Sequence, residues 1–317
     1  MANLTRSALL AGTAATVFVP NIVRAQTPPV KIQFAGVPTD DMTHVFYAQK
    51  TGMYEKAGLD VEIIQTASGT IATTAVIAGT YQIGKGSLIA SLVAHTRDLP
   101  LVVIANSSIW DKAVLFNEAV VAADSNIKTG ADLNGKIGAT PALNDLNQLV
   151  ISAWMDKNGG DSKTLKWIEF PNSALGAALA DHRIDVCALQ EPALSAELAT
   201  GKVRALAPVY NSVSEHFVFG IFFANKPWAD KNADALKRWV RVTFEAAAYT
   251  NTHHAETVAM MSDLTKIPAA IYAKMARVQA ATQATSDPAL MQPLIDAAVK
   301  YKFITRGFPA KELMFNG

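Results

Sequence analysis

Cysteine is almost missing from this chain: Cys187 is the only one in 317 residues. No intrachain disulfide can form, and no metal site can be assembled from thiolates. Cys187 sits in the apolar run Ile184-Asp185-Val186-Cys187-Ala188-Leu189, where it reads as a small buried strand residue rather than a nucleophile. An excess of one charge is missing too. With 28 basic residues against 27 acidic, the chain lacks the general basic field of a nucleic-acid binder. Charged residues make up only 17% and the hydrophobic set 50%, a balance that excludes a disordered chain. Past the N-terminal segment no apolar run approaches the roughly 18 residues of a membrane span. There is no His-Glu-x-x-His, no Gly-x-Ser-x-Gly and no Walker A pattern. His253-His254 reads as a solvated helix face. No catalytic residue, metal or cofactor is therefore expected.

The N-terminus carries an export pattern. Arg6 precedes the nearly uncharged apolar stretch Ser7 to Val19, and Val23-Arg24-Ala25 puts small residues at −3 and −1 of a cleavage point after Ala25. Pro20 and Thr27-Pro28-Pro29 separate this stretch from the rest of the chain. A single Arg favours the general secretory route, and no Cys offers a lipid attachment point. Residues 1–25 are thus expected to be a signal peptide and the remainder a periplasmic protein.

Beyond it, strands alternate with helices. Strands are expected at Lys31 to Val37, Val61 to Gln65, Gln82 to Gly84 and Leu101 to Ala105. Between them fall helices at Thr43 to Lys50, at Ser68 to about Ala78 with Gly79 as the stop, and at Ser87 to His95. The pattern restarts near Ala119. Leu146, Leu149, Val150, Ala153 and Trp154 mark one buried face of a helix begun by Asn144. From Asp230 to about Phe303 the signal is helical. This reads as an α/β chain with two units and a helical tail.

Short motifs follow one another in order: Ala48-x-x-x-Gly52-Met53-Tyr54-x-x-x-Gly58-Leu59-Asp60-Val61-Glu62, Ser68-Gly69, Ala78-Gly79, Gln82-x-Gly84, Asp132-Leu133-Asn134-Gly135-Lys136-Ile137-Gly138, Ala178-Leu179-x-x-x-Arg183-Ile184-Asp185 and Glu191-Pro192. This ordered set resembles the solute-binding proteins of ABC importers. Within them it is similar to the branch that binds nitrate, sulfonates, taurine and thiamine pyrimidine precursors. Lys85 stands where that family tolerates varied residues. The resemblance implies a two-lobed periplasmic binding protein fold of type II with two hinge strands. Lobe I would be 30–118 plus 222–317 and lobe II 119–221, with crossovers near Phe116–Val121 and Val218–Ala224. It implies a monomer that hands a small polar solute to a membrane permease with its ATPase subunit. The nitrate, sulfonate and taurine class is favoured. A thiamine pyrimidine precursor or other aromatic heterocycle is the alternative ligand, and a pyrimidine precursor synthase-like enzyme the alternative function; the iron motif of that enzyme has no counterpart beside a lone Cys187.

Ligands of open α/β sheets bind beyond the carboxyl ends of the strands, which selects the loops. Thr39, Asp40 and His44 lie after the first strand. Ser68, Gly69 and Thr70 open a helix whose N–H groups suit an oxyanion, and Lys85, Gly86 and Ser87 open another. Lys85 pairs with a sulfonate or is solvated on a turn. Asn106 to Trp110 is a fourth loop, in which Trp110 stacks on a ligand or belongs to the core. On the second lobe the candidates are Pro141, Asn144 and Glu191. Asn144 caps its helix, cradles an anion, or does both. Glu191 is a cleft group or a first-turn helix acid. Asp40 or Asp41 facing the cleft would favour an ammonium, and together with a helix N-terminus would suit a zwitterion such as taurine.

Overall fold

A computed structural model describes residues 28–317. The expected signal peptide, residues 1–25, lies outside the described residues. The first unit runs β1 (Val30–Gly36), α1 (Thr43–Lys50), α2 (Met53–Lys56), β2 (Leu59–Gln65), α3 (Gly69–Ile77), β3 (Ile83–Gly86), α4 (Leu88–Thr96) and β4 (Leu101–Asp111). The second runs β5 (Asn117–Ala122), β6 (Ile137–Thr140), α5 (Leu146–Lys157), β7 (Lys166–Glu169), α6 (Leu175–Ala180), β8 (Cys187–Gln190), α7 (Ala193–Ala199) and β9 (Val203–Ala207). The chain then returns through β10 (His216–Asn225), α8 (Lys226–Lys231), α9 (Ala233–Thr250), α10 (His254–Thr265), α11 (Ala269–Tyr272), β11 (Gln279–Ala280) and α12 (Gln292–Lys300).

The first sheet has the order β2-β1-β3-β10-β4-β11. Strands β1, β2 and β3 are parallel, and β10 runs antiparallel between β3 and β4. In the second lobe β5 lies antiparallel between β8 and β9, while β6 and β7 pair in parallel. A parallel bridge from Gly138 to Val186 joins the two groups. The chain crosses from the first sheet to the second through 112–116 and returns through 208–215. Those two connections touch where the first begins and the second ends: the Lys112 N–H donates to the Glu215 carbonyl at 2.9 Å. The architecture is the two-lobed α/β fold of the periplasmic binding proteins.

The apolar pattern explains the layers. Helix α9 buries Leu236, Trp239 and Val242, spaced one helical turn apart. The Trp239 ring stacks on Phe34 of β1 at 5.5 Å and meets Phe222 of β10 edge-on at 5.0 Å. The C-terminal tail is therefore part of lobe I rather than an appendage. It is not wholly helical as expected, because β11 pairs with Ile109 and Ser108 on the edge of β4. Nor is Asn106 to Trp110 a loop. It is the second half of β4, paired with β10 as far as His216 opposite Asp111.

Candidate functional site

The lobes meet across a cleft of about 390 Å³. Its walls are loops at the carboxyl ends of strands, as the topology demands. Lobe I contributes Val37, Pro38 and Thr39 after β1, Gln65 at the end of β2, Ser68, Gly69 and Thr70, and Lys85, Gly86 and Ser87 after β3. Lobe II contributes Pro141 and Ala142 after β6, Asn172 and Ser173 beyond β7, and Gln190 and Pro192 after β8. Tyr210 and Phe219 add two aromatic faces near the lobe connections, and Leu264, Thr265 and Ile267 of the α10 end close one side.

Two helix N-termini open into lobe I's side of this space. Ser68 caps α3, its Oγ accepting the Ile71 N–H at 3.2 Å. Ser87 stands in the extended N-cap position of α4 without a side-chain cap bond. The two ends pack tightly: a Cβ on Gly69 would lie 3.1 Å from the Gly86 Cα, and one on Gly86 would lie 3.2 Å from the Gly69 carbonyl oxygen. Only residues as small as these let both sets of free N–H groups converge. Replacing Ser68 with Ala removes the cap and is expected to lower stability by about 1 kcal/mol, read as a fall of the thermal midpoint.

Lys85 lies on the cleft floor but is not a free cation. Its Nζ donates to the Asp41 Oδ2 in an almost completely buried pair. Thr39 Oγ1 donates to the other Asp41 oxygen at 2.6 Å. Burial by itself pushes the Asp41 carboxyl up, but the Lys85 ammonium and the hydrogen bonds from Lys85 and Thr39 outweigh it and hold the group below its ordinary 3.8. Asp41 is thus ionised, and Lys85 is neutralised from behind.

On the facing lobe stands Asp145. Its Oδ1 accepts the Gln148 N–H at 2.9 Å and so caps α5. Burial between the lobes raises its carboxyl from 3.8 to about 6, against the lowering effect of Thr140 and the Gln148 and Asn147 N–H groups. Among the described lining residues Lys85 and Asp145 are the only Asp, Glu, Lys, Arg or His. With Lys85 paired, the charge presented to the cleft at neutral pH is that of Asp145. Two amides add hydrogen-bonding capacity. Asn117 and Gln190 lie opposite each other in the β5–β8 pairing. Asn117 Oδ1 is buried without a hydrogen-bond partner among the described residues, whereas the Gln190 amide lies against the Asp41 carboxylate and helps to lower its pKa.

Of the residues expected at the site, Thr39, Ser68, Gly69, Thr70, Lys85, Gly86, Ser87 and Pro141 line the cleft. The others are placed elsewhere. Asp40 is buried against Arg277, accepting from its Nε at 2.9 Å and from the Val278 N–H at 2.8 Å; it fastens the tail to lobe I. His44 is buried on α1 with its ring against Phe222 at 5.7 Å, and burial lowers its pKa to about 4, so it is neutral. Asn106 points to the tail, its Nδ2 donating to the Asp287 carbonyl at 3.0 Å. Trp110 is core: it packs on Phe116 and Tyr210 at 5.1 and 4.9 Å, and its Nε1 donates to Asn211 Oδ1 at 3.0 Å. Asn144 is exposed at φ 60, in the left-handed region an Asn tolerates, and the capping role passes to Asp145. Glu191 accepts from the Ser195 N–H and Oγ at 3.0 and 2.6 Å, and its carbonyl accepts the Asp40 N–H from the other lobe at 3.4 Å. Sequence reasoning missed Asp145, Tyr210, Phe219 and the Asn117–Gln190 pair as site residues, and it missed the pairing of Asp41 with Lys85. Asp145 alone left a signal, as the residue directly before an apolar-periodic run.

Known proteins share this architecture. The family model described as NMT1/THI5 like matches residues 39–257. A Brucella abortus chain described only as a binding protein is 25% identical over 268 residues, covering 83% of this chain and 79% of that one. The alkanesulfonate-binding protein SsuA from Xanthomonas axonopodis pv. citri, bound to MOPS, superposes with TM-score 0.75 at 15% identity over 91% of this chain and 99% of its own. The periplasmic nitrate-binding protein NrtA from Synechocystis PCC 6803 gives 0.73 at 14%, over 90% and 84%. The fold also carries an enzyme, the desulfurization enzyme DSZB, at TM-score 0.65 and 11% identity over 90% of this chain and 96% of its own, so fold alone does not assign an activity. With more than half of its length matched by the model, the chain belongs to the NMT1/THI5-like family, and its solved structural neighbours include sulfonate- and nitrate-binding proteins and the ligand binding component of an ABC-type import system from Staphylococcus aureus.

Proposed function

We propose that this protein is the solute-binding component of an ABC importer. Residues 1–25 would export it to the periplasm. There, as a monomer, it would trap a small polar organic solute between its lobes and deliver it to a membrane permease driven by an ATPase subunit. The lobes drawn from the sequence at 118/119 and 221/222 would close about the connections 112–116 and 208–215. No step of this cycle needs chemistry on the protein. Cys187, the one thiol, is buried in β8 outside the cleft lining, and burial pushes its pKa up, which argues against a cysteine-dependent enzyme here.

One observation carries the ligand class: two helix N-termini of lobe I and the Asp145 carboxyl of lobe II line the same cleft. An acceptor end of the solute would sit at Gly69-Thr70 and Gly86-Ser87, and an ammonium or N–H at Asp145. This favours a zwitterion of the taurine kind over nitrate or a simple alkanesulfonate, for which the one ammonium in the cleft is already taken by Asp41. The unpartnered Asn117 Oδ1, with the Tyr210 and Phe219 rings, supports a second reading, an amino-substituted heterocycle, which also offers an N–H to Asp145.

A thermal-shift panel on the chain from residue 26 tests this with taurine, ethanesulfonate, nitrate and 4-aminopyrimidine. A ligand at 100 times its dissociation constant stabilises by about 2.7 kcal/mol. Taurine is expected to raise the midpoint well above ethanesulfonate at equal concentration. A larger shift with nitrate or ethanesulfonate than with taurine and 4-aminopyrimidine would reject the dipolar ligand.

A further inference from the structure

Two acids and two cations lie close together beneath lobe I's side of the cleft, and they are paired separately. Asp40 takes Arg277 from the tail, away from the cleft. Asp41 takes Lys85, the only cationic side chain among the described lining residues. The neighbouring His44 is neutral, so it does not share Asp41's charge.

Several contacts fix the Asp41–Lys85 pair. Thr39 holds one Asp41 oxygen, and Ser108 Oγ lies 3.4 Å from the other. The stem of Lys85 crosses β10 at Gly220, where a Cβ would come within 3.1 Å of the Lys85 Cε and 2.8 Å of Ser108 Oγ. The Phe219 ring lies 5.9 Å from Nζ on another side. An ammonium held in this way has little freedom to turn toward a ligand, and an anion would have to compete with a buried carboxylate for it.

We propose that Asp41 is the positioning residue that sets the ligand class: by holding the Lys85 ammonium it withholds the one positive side chain of the cleft and turns simple anions away. This rests on the cleft being the solute site. Loss of the Asp41 charge releases Lys85 to the cleft and converts the protein into an anion binder.

The test compares wild type, Asp41→Asn and the double variant Asp41→Asn/Lys85→Gln, with ethanesulfonate and taurine as a pair of probes differing in the ammonium. Dissociation constants are read by calorimetry. Asp41→Asn keeps one acceptor oxygen for Thr39 and turns its NH2, a donor, toward Lys85, and Asp41→Ser serves as the second charge-removing variant where the first does not fold. Either single variant is expected to bind ethanesulfonate roughly 10- to 100-fold more tightly than wild type, the worth of a charge-assisted hydrogen bond. The double variant is expected to lose that gain. A merely structural Asp41 would lower the melting temperature without changing the preference between the probes. Folded single variants with no gain for ethanesulfonate, or a gain that survives Lys85→Gln, overturn the proposal. Failure of wild type to bind either probe would instead count against taurine as the ligand and leave the comparison of the variants standing.

Discussion

Truncating Trp110 to Ala is expected to cost about 3–5 kcal/mol of stability, the range for emptying a well-packed core of a large aromatic. Trp110 is completely buried, so little of the void can be filled by water. It is also the centre of a cluster. Phe116 ends the crossing into lobe II, Tyr210 lines the cleft, and both rest on its ring. Removing the indole also leaves Asn211 Oδ1 without the Nε1 donor it now has at 3.0 Å. Thermal or denaturant unfolding gives the stability, and ligand titration at a temperature where the variant is folded gives the second effect. Binding is expected to weaken as Tyr210 loses its support. A variant as stable as wild type but unable to bind would mean that Trp110 is a ligand wall after all.

The second large effect is at Asp145, where stability and binding oppose one another. Its carboxyl rises from 3.8 in the open chain to about 6 in the fold, mainly through burial. Below pH 4 the group is protonated in both states and burdens neither. As the pH climbs from about 4 to about 6 the unfolded chain ionises while the folded protein keeps its proton, so stability is lost across that window and the full loss stands above it. Two units would amount to about 3 kcal/mol at the usual conversion, and solvent at the half-buried cleft rim reduces this to about 1–2 kcal/mol. Asn is as good an N-cap as Asp, so Asp145→Asn keeps the bond from the Gln148 N–H while dropping the charge. The variant is expected to be more stable than wild type by that amount at pH 7.5, with the two converging toward pH 4. It is also expected to bind taurine about tenfold or more weakly, because the ammonium loses its partner. Unfolding curves at both pH values, with titrations at pH 7.5, measure both. A variant less stable than wild type at pH 7.5 would show that the carboxylate supports the fold instead.

Local signals made much of the architecture legible. Ser68 before an apolar run and Gly79 after it bracket α3 as a cap and a stop should, and the Leu146–Leu149–Val150–Ala153 spacing gave the buried face of α5. These depend on neighbours a few residues away. What sequence hid depends on partners far along the chain. Asn106-Ser107-Ser108 looks like a polar loop, yet it is strand, because β10 arrives more than a hundred residues later to pair with it. Asp40 looks like a cleft acid until Arg277 is brought to it by the tail. Lys85 looks like an anion's partner until Asp41 is seen behind it. Tyr210 had no periodic signal, since it sits where the chain passes between lobes, and Phe219, within β10, gave no sign that it faces the cleft. The Asn144–Asp145 choice turned on one backbone angle, φ 60 at Asn144.

The order of strands in the first sheet has a consequence for how the chain matures. A protein made or exported N-terminus first presents β1 to β4 early, but β10 fits between β3 and β4 and emerges only after the whole of 117–207. Lobe II therefore has all its strands available while lobe I still has a gap in the middle of its sheet. The lobe that begins first is completed last, and during that interval the unpaired edges of β3 and β4 are the surfaces a chaperone must shield from other strands.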